Sequence, residues 1–232
     1  MISNTGYSNY QTSSVRSYMM KTFLWMALGL VVTTIVAYWL NMTGMVLTLY
    51  LKIPMLGFIL LIAQLGVAIS MGARLAHLST TSMKFLFMVY SMLTGITFST
   101  LTFAYTLDAI VIAFGITALY FGCLAFIGYT TKFDLTRVGN IFIMGLVVLI
   151  VVEGLMMLFH MNIYTKALSA LGLLIFTGIT AYDVQRLKKD YMQFANSGDL
   201  LDKVSIYGAF QMYLDFINIF LYILRFVQRS DD

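Results

Sequence analysis

Two aspartates lie where a lipid-buried sequence should have none. Asp183 sits in GLLIFTGITAYDVQRLKK and Asp215 in YGAFQMYLDFINIFLYIL. A carboxylate in hydrocarbon is costly, so an ionisable group in such a segment marks an ion path, a proton relay or a paired contact. If the two carboxylates approach to about 4 Å, their charges repel by roughly 4 kcal/mol at an effective dielectric of about 20. The pair then keeps one shared proton and acts as a proton sensor built without histidine. Loss of that proton leaves two negative charges that attract a cation. Oxygen ligands suit Ca2+, which takes about six to eight of them. Asp183 and Asp215, with Asn218, hydroxyls and water, would make a weak Ca2+ site, and weakness suits conduction because an ion must leave as well as enter. The other reading of the pair is a buried polar clamp that fixes helix register. Clamps more often use Asn, Gln, Ser or Thr, which carry no ionisation penalty.

Around the pair, Tyr207, Gln211, Asp215, Asn218 and Tyr222 follow one another at steps of four, four, three and four. That spacing places them on one helix face, opposite Phe210, Leu214, Ile217 and Leu221. Such a polar stripe must face protein or a water-filled cavity. Thr180 is one turn from Asp183 on the preceding helix. Arg74 ends an apolar run; it either snorkels to headgroups or turns inward to neutralise the acids. Glu153 is a third acid within an apolar run, GLVVLIVVEGLMMLF. It either lines the outer end of the same cavity or bonds to a neighbouring helix. His77 and His160 fall near opposite membrane faces and do not suit a joint site.

The elements that must carry these groups are membrane helices. The 232 residues are 60% hydrophobic and 10% charged, with a single proline, whereas soluble domains carry about 25% charged residues. The mean hydropathy is +0.88. A span needs about 20 apolar residues, and seven candidates follow: 22–41, 54–74, 85–106, 109–130, 139–160, 167–186 and 204–225. The expected fold is an all-α seven-transmembrane-helix bundle. Residues 1–21 are expected as a polar, mobile cytoplasmic tail, 22–229 as one membrane domain and 230–232 as a C-terminal tail. The charged stretch Lys188–Lys203 reads as a long loop in water.

Lysine and arginine set direction. With the N-terminus inside, ten of the 14 basic residues fall on the inner side (Arg16, Lys21, Arg74, Lys84, Lys132, Arg137, Arg186, Lys188, Lys189, Lys203) and four outside (Lys52, Lys166, Arg225, Arg229). This favours a cytoplasmic N-terminus and puts both acids in the inner half to middle of the membrane. Small-residue pairs at helix spacing, Gly66 with Ser70, Gly95 with Ser99 and Ala118 with Gly122, read as close helix contacts.

Several classes are disfavoured. Cys123 is the single cysteine, so no disulfide framework or cysteine metal site is expected. The first residues lack the basic start and cleavage site of a signal peptide. The basic residues are spread among loops, which argues against nucleic acid. No GxSxG, HExxH or paired-histidine motif is present, so the chain reads as a non-enzyme without a bound cofactor. No lysine lies within the seventh span for a retinal Schiff base. A proton-coupled transporter finds no support in a repeat or a proline-broken helix.

GITAYDVQRLKK and YLDFINIFLYILR closely resemble signatures of the Bax inhibitor family, the transmembrane Bax inhibitor motif proteins, and the resemblance spans the whole chain. It implies a bacterial member in the plasma membrane: a seven-helix protein with a pH-sensitive calcium leak. In that family two aspartates form the pH-sensing dyad, matched here by Asp183 and Asp215, and an arginine on the second helix latches it, matched here by Arg74. Glu153, Gln211, Asn218, Tyr207, Tyr222 and Thr180 are candidates to line the path. Ca2+ is then the transported ion, and protons and the lipid bilayer are the partners. The family also implies an alternative: a regulator that binds a membrane protease or another membrane partner through the tail and the Lys188–Lys203 segment.

Overall fold

Long apolar stretches with one proline and few charges have one economical solution in lipid, the α-helix, which satisfies its own backbone. The computed structural model describes residues 4–53, 55–159 and 166–228. It contains α1 (Asn4–Met42), α2 (Met45–Lys52), α3 (Leu56–Ala73), α4 (Thr80–Phe98), a 3-10 turn (Ser99–Phe103), α5 (Leu107–Thr130), α6 (Thr136–Leu158), α7 (Lys166–Phe194) and α8 (Asp199–Gln228). Among the described residues, seven helices are long and apolar enough to cross a membrane. They coincide with the seven expected spans to within several residues at each end. α2 is an additional short helix between the first two spans.

The helix starts follow local chemistry. Ser79 Oγ accepts from Ser82 N at 3.1 Å and begins α4, and Thr106 Oγ1 accepts from Ala109 N at 3.2 Å and begins α5. Each hydroxyl satisfies one of the N–H groups that a helix start leaves unpaired.

Two expectations are corrected at the ends. The tail is not an irregular strand of chain, because α1 runs through it from Asn4; residues 1–3 lie outside the described residues, as does the expected C-terminal tail, 230–232. Val15, Tyr18 and Met19 are buried, so the N-terminal part of α1 has an apolar face to pack. Nor is Lys188–Lys203 a long loop. α7 continues to Phe194 and α8 begins at Asp199, leaving residues 195–198 as the connection. The charges misled because buried side chains alternate with them: Leu187, Val204 and Ile206 are all buried. Gly198, with φ +44°, supplies the left-handed turn. Asp199 and Asp202 then fall in the first turn of α8, where the helix dipole favours negative charge.

The chain divides into two units, each with its own core. The first comprises 1–104 and 187–213. Within it, α1 packs along α4. A Cβ at Gly95 would lie 2.8 Å from the Thr33 carbonyl oxygen and 2.7 Å from Val36, so the two backbones nearly touch there. Phe87 and Tyr90 of α4 meet Phe210 and Tyr213 of α8 edge to face, with centroids 4.9–6.0 Å apart. Thr33 Oγ1 joins the Tyr213 hydroxyl at 2.7 Å and donates to the Ser91 carbonyl at 2.9 Å. Near the N-terminal part of α1, Tyr18 stacks on Tyr191, Thr22 Oγ1 meets Ser205 Oγ at 2.9 Å, and Lys21 Nζ meets Asp202 Oδ1 at 2.6 Å.

The second unit comprises 105–186 and 214–232. Its helices approach where glycine omits a side chain. Gly139 of α6 faces the Tyr182 ring, Gly178 of α7 the Phe142 ring, Gly172 of α7 the Tyr222 ring, and Gly128 of α5 the Ala181 carbonyl. Of the three small-residue pairs expected as contacts, Gly95 fulfils that role, but Gly66 and Gly122 have open space beside them. Small residues at helix spacing do not by themselves tell a packed face from a lipid face.

Candidate functional site

The acid pair belongs to the second unit. α7 carries Asp183 one turn beyond Thr180, and α8 carries Asp215 three residues before Asn218. Asp183 is 8% exposed and Asp215 4%, and Thr180 is fully buried. The two carboxyls lie within reach of each other's charge, and the Thr180 hydroxyl stands beside Asp215. Consecutive helices joined by a four-residue connection thus bring together the two acids that were 32 positions apart in sequence. Buried polar atoms are normally paired, and here the Thr180 hydroxyl has the Asp215 carboxyl beside it as an acceptor.

The polar stripe on α8 is real in spacing but serves several roles. Asp215 is buried at the acid pair. Asn218 Nδ2 donates to the Leu214 carbonyl at 2.7 Å, so its amide nitrogen is engaged with its own helix. Tyr222 OH donates to Glu153 Oε1 at 3.4 Å. Tyr207 and Gln211 are half-buried and belong to the first unit, where the Tyr207 hydroxyl lies against Gly72. On the opposite face Phe210 is 2% exposed, while Leu214, Ile217 and Leu221 are half-buried. No residue of α8 from Leu200 to Val227 is exposed.

Glu153 bonds to a neighbouring helix, as one of its two readings expected. Its Oε1 lies 3.5 Å from Arg225 Nη1, and the Arg225 guanidinium stands 5.1 Å from the centre of the Tyr222 ring. Tyr222 in turn packs against Phe176 and Gly172 of α7. The three side chains therefore tie α6, α7 and α8 together at the end of α8 away from its connection to α7. Sequence reading took Arg225 for a loop charge. Its spacing of three from Tyr222, on one helix face, was the available signal.

Arg74 is the C-cap residue of α3, with its side chain exposed. It lies in the first unit, whereas the acid pair lies in the second. His77 follows in the turn after α3, its N–H bonded to the Arg74 carbonyl at 3.0 Å; His160 lies outside the described residues. Among the described residues, no group of three or more His, Cys, Asp or Glu side chains is placed to hold a metal ion.

Comparison with known proteins points the same way as the two motifs. A family model described as inhibitor of apoptosis-promoting Bax1 matches residues 15–232. The chain is 36% identical to the inner membrane protein YbhL of Escherichia coli K12 over 227 residues, 92% of each chain. It is 35% identical over 216 residues to a protein of Borreliella burgdorferi, 93% of each chain. A membrane protein of Streptococcus pyogenes is 31% identical over 146 residues, 63% of each. With seven apolar helices and a match over nearly the whole chain, this is a multi-pass membrane protein that belongs to the Bax inhibitor family.

Proposed function

We propose that this protein is a pH-sensitive calcium leak of the bacterial plasma membrane, with its N-terminus in the cytoplasm. One observation carries the reading: Asp183 and Asp215, buried on consecutive membrane helices, face each other within direct electrostatic reach. Two carboxylates so placed cannot both hold charge cheaply. With one shared proton the pair carries a single charge and the path is shut. When that proton is lost the pair attracts a divalent cation, and Ca2+ accepts an irregular oxygen set more readily than Mg2+ does. Cation flux therefore rises with pH.

Arg74 is the proposed latch. It stands at the end of α3, where the chain leaves the helix, with its side chain exposed. Glu153, Tyr222 and Asn218 flank the path beyond the pair. A low-conductance leak needs no dedicated cage of ligands, because tight binding would stop the ion.

The test is Ca2+ flux into liposomes that carry the purified protein, measured across pH. Flux that rises with pH in the native protein, and loses that dependence in both Asp183→Asn and Asp215→Asn, supports the reading. An unchanged pH profile in both variants overturns the dyad mechanism. Arg74→Gln should raise flux at acidic pH, where the latch is engaged. The alternative, a regulator of a membrane partner, drew its contact surface from a free tail and a long loop. Both of those segments are largely helical.

A further inference from the structure

The connection between α5 and α6 is short and firmly held. Thr131 N–H donates to the Ile127 carbonyl at 2.9 Å as α5 ends. Gln185 of α7 then takes both sides of the turn. Its Nε2 donates to the Phe133 carbonyl at 2.7 Å, and its Oε1 accepts from Leu135 N–H at 2.9 Å. Asp134 Oδ1 accepts from the Thr136 N–H at 3.2 Å and from its hydroxyl at 2.7 Å, and α6 begins there. Gln185 is itself buried, so its amide must find partners inside the protein, and it finds both on the backbone of this turn. The side chain held out by that backbone is Phe133. At 82% it is the most exposed large apolar side chain among the described residues.

The setting is a membrane boundary. α5 and α6 are both long and apolar enough to cross a membrane, so residues 131–135 lie at its surface. Phe126 and Ile127 of α5 and Val138 and Ile141 of α6 are exposed, so lipid-facing helix surfaces flank the turn. Lys132 and Arg137 stand exposed on either side of Phe133 in the chain, and Arg186, next after Gln185 on α7, is exposed at the same level. An aromatic ring among basic side chains suits the interface, where the ring enters apolar material and the cations stay with the headgroups.

We propose that the α5–α6 connection is an anchor for anionic phospholipid: Phe133 enters the boundary between headgroups and acyl chains, and Lys132 and Arg137 hold lipid phosphate. The positive set is complementary to a phosphate-bearing surface, and the flanking helix faces already stand in lipid. The occupant is therefore the bilayer rather than a soluble protein. Gln185 orders the turn before any lipid arrives, which lowers the cost of binding. It lies two residues from Asp183, so the anchor is fastened to the helix that carries the first acid. The proposal stands apart from any passage of Ca2+.

A local fluorescent probe tests it. Trp25→Phe and Trp39→Phe remove the two native tryptophans, and Phe133→Trp then reports on this position alone. In phosphatidylglycerol vesicles with brominated acyl chains, the F133W chain should lose most of the emission it shows in unbrominated lipid. Emission typical of water, untouched by bromine, overturns the proposal and leaves Phe133 to a protein partner. In phosphatidylcholine vesicles doped with a minor share of brominated lipid, brominated phosphatidylglycerol should gather at the probe about fivefold over brominated phosphatidylcholine, the worth of one basic side chain near an anionic surface. Lys132→Gln with Arg137→Gln should bring that preference to parity. No preference in the F133W chain, or one that survives loss of both cations, overturns the proposal.

Discussion

Tyr222 OH reaches Glu153 Oε1 at 3.4 Å while its ring rests against Gly172, so a single side chain of α8 touches both α6 and α7. The Asp183–Asp215 pair occupies the same unit, seven residues earlier on α8. At 1.5 Å per residue this separates the two polar contacts by about 10 Å along the helix. One apolar unit thus carries two polar stations, of different kinds. The acid pair sets like charges near each other. The Glu153–Arg225–Tyr222 group sets opposite charges together.

The acid pair should govern pH dependence. On the proposed leak reading, the shared proton of the native protein leaves as pH rises, and Ca2+ flux should rise with it. Asp183→Asn or Asp215→Asn leaves one carboxylate with no acid to share its proton, so the rise of flux with pH should disappear. Flux measured in proteoliposomes across pH checks this.

The Glu153–Arg225 pair should contribute to stability as a unit. The two side chains are 25% and 18% exposed and their atoms are 3.5 Å apart, which is neither a surface pair nor a tight buried one. Arg225→Gln or Glu153→Gln alone should cost about 1–2 kcal/mol, because each leaves a partly buried charge without its partner. The double variant should cost less than the sum of the two, by about 0.5–1 kcal/mol. Thermal unfolding of the detergent-solubilised protein measures both. Strict additivity would mean the pair has no energetic coupling.

Glycines of the second unit should differ sharply among themselves. Gly172→Ala and Gly139→Ala drive a methyl into the rings of Tyr222 and Tyr182, and overpacking of this kind costs about 1–3 kcal/mol. Gly122→Ala meets nothing and should be neutral or stabilising by up to about 1 kcal/mol, as expected for glycine replaced within a helix. The melting temperatures of the Gly172 and Gly139 variants should lie below that of the Gly122 variant; equal values would show that the close glycine contacts do not hold the helices.

Anchoring of α1 should depend on the buried contact more than on the short ion pair. Lys21 and Asp202 are about half exposed, at 47% and 50%, so Lys21→Gln should cost less than about 1 kcal/mol and matter less in high salt. Thr22 is fully buried and Ser205 is 1% exposed, so Thr22→Val leaves a buried hydroxyl short of a partner and should cost about 1–3 kcal/mol. Unfolding at low and high salt distinguishes the two contributions: the Lys21 variant should lose its deficit as salt rises, the Thr22 variant should keep it.

Seven helices could be read directly from composition, because lipid allows few alternatives to a backbone that satisfies itself. The burial of Asp183 and Asp215 within membrane helices was equally legible, since a charge in an apolar segment stands out wherever it occurs. Less accessible was which faces are buried. In a membrane both the protein interior and the lipid are apolar, so Phe210 and Leu119 are alike in sequence, although one is 2% exposed and the other 76%. Hydropathy cannot separate them, and for the same reason Gly122 and Gly128 could not be told apart.

By itself, the sequence determined the helical class, the span positions, the family and the two acids, all of which depend on residue chemistry along the chain. Only the tertiary structure decided that α7 and α8 continue through the charged stretch, that the two acids come within reach of each other's charge, that Arg225 answers Glu153, and that Thr180 stands beside Asp215. Each of these depends on which helix faces pack together, and that is set by close contacts between side chains far apart in the chain.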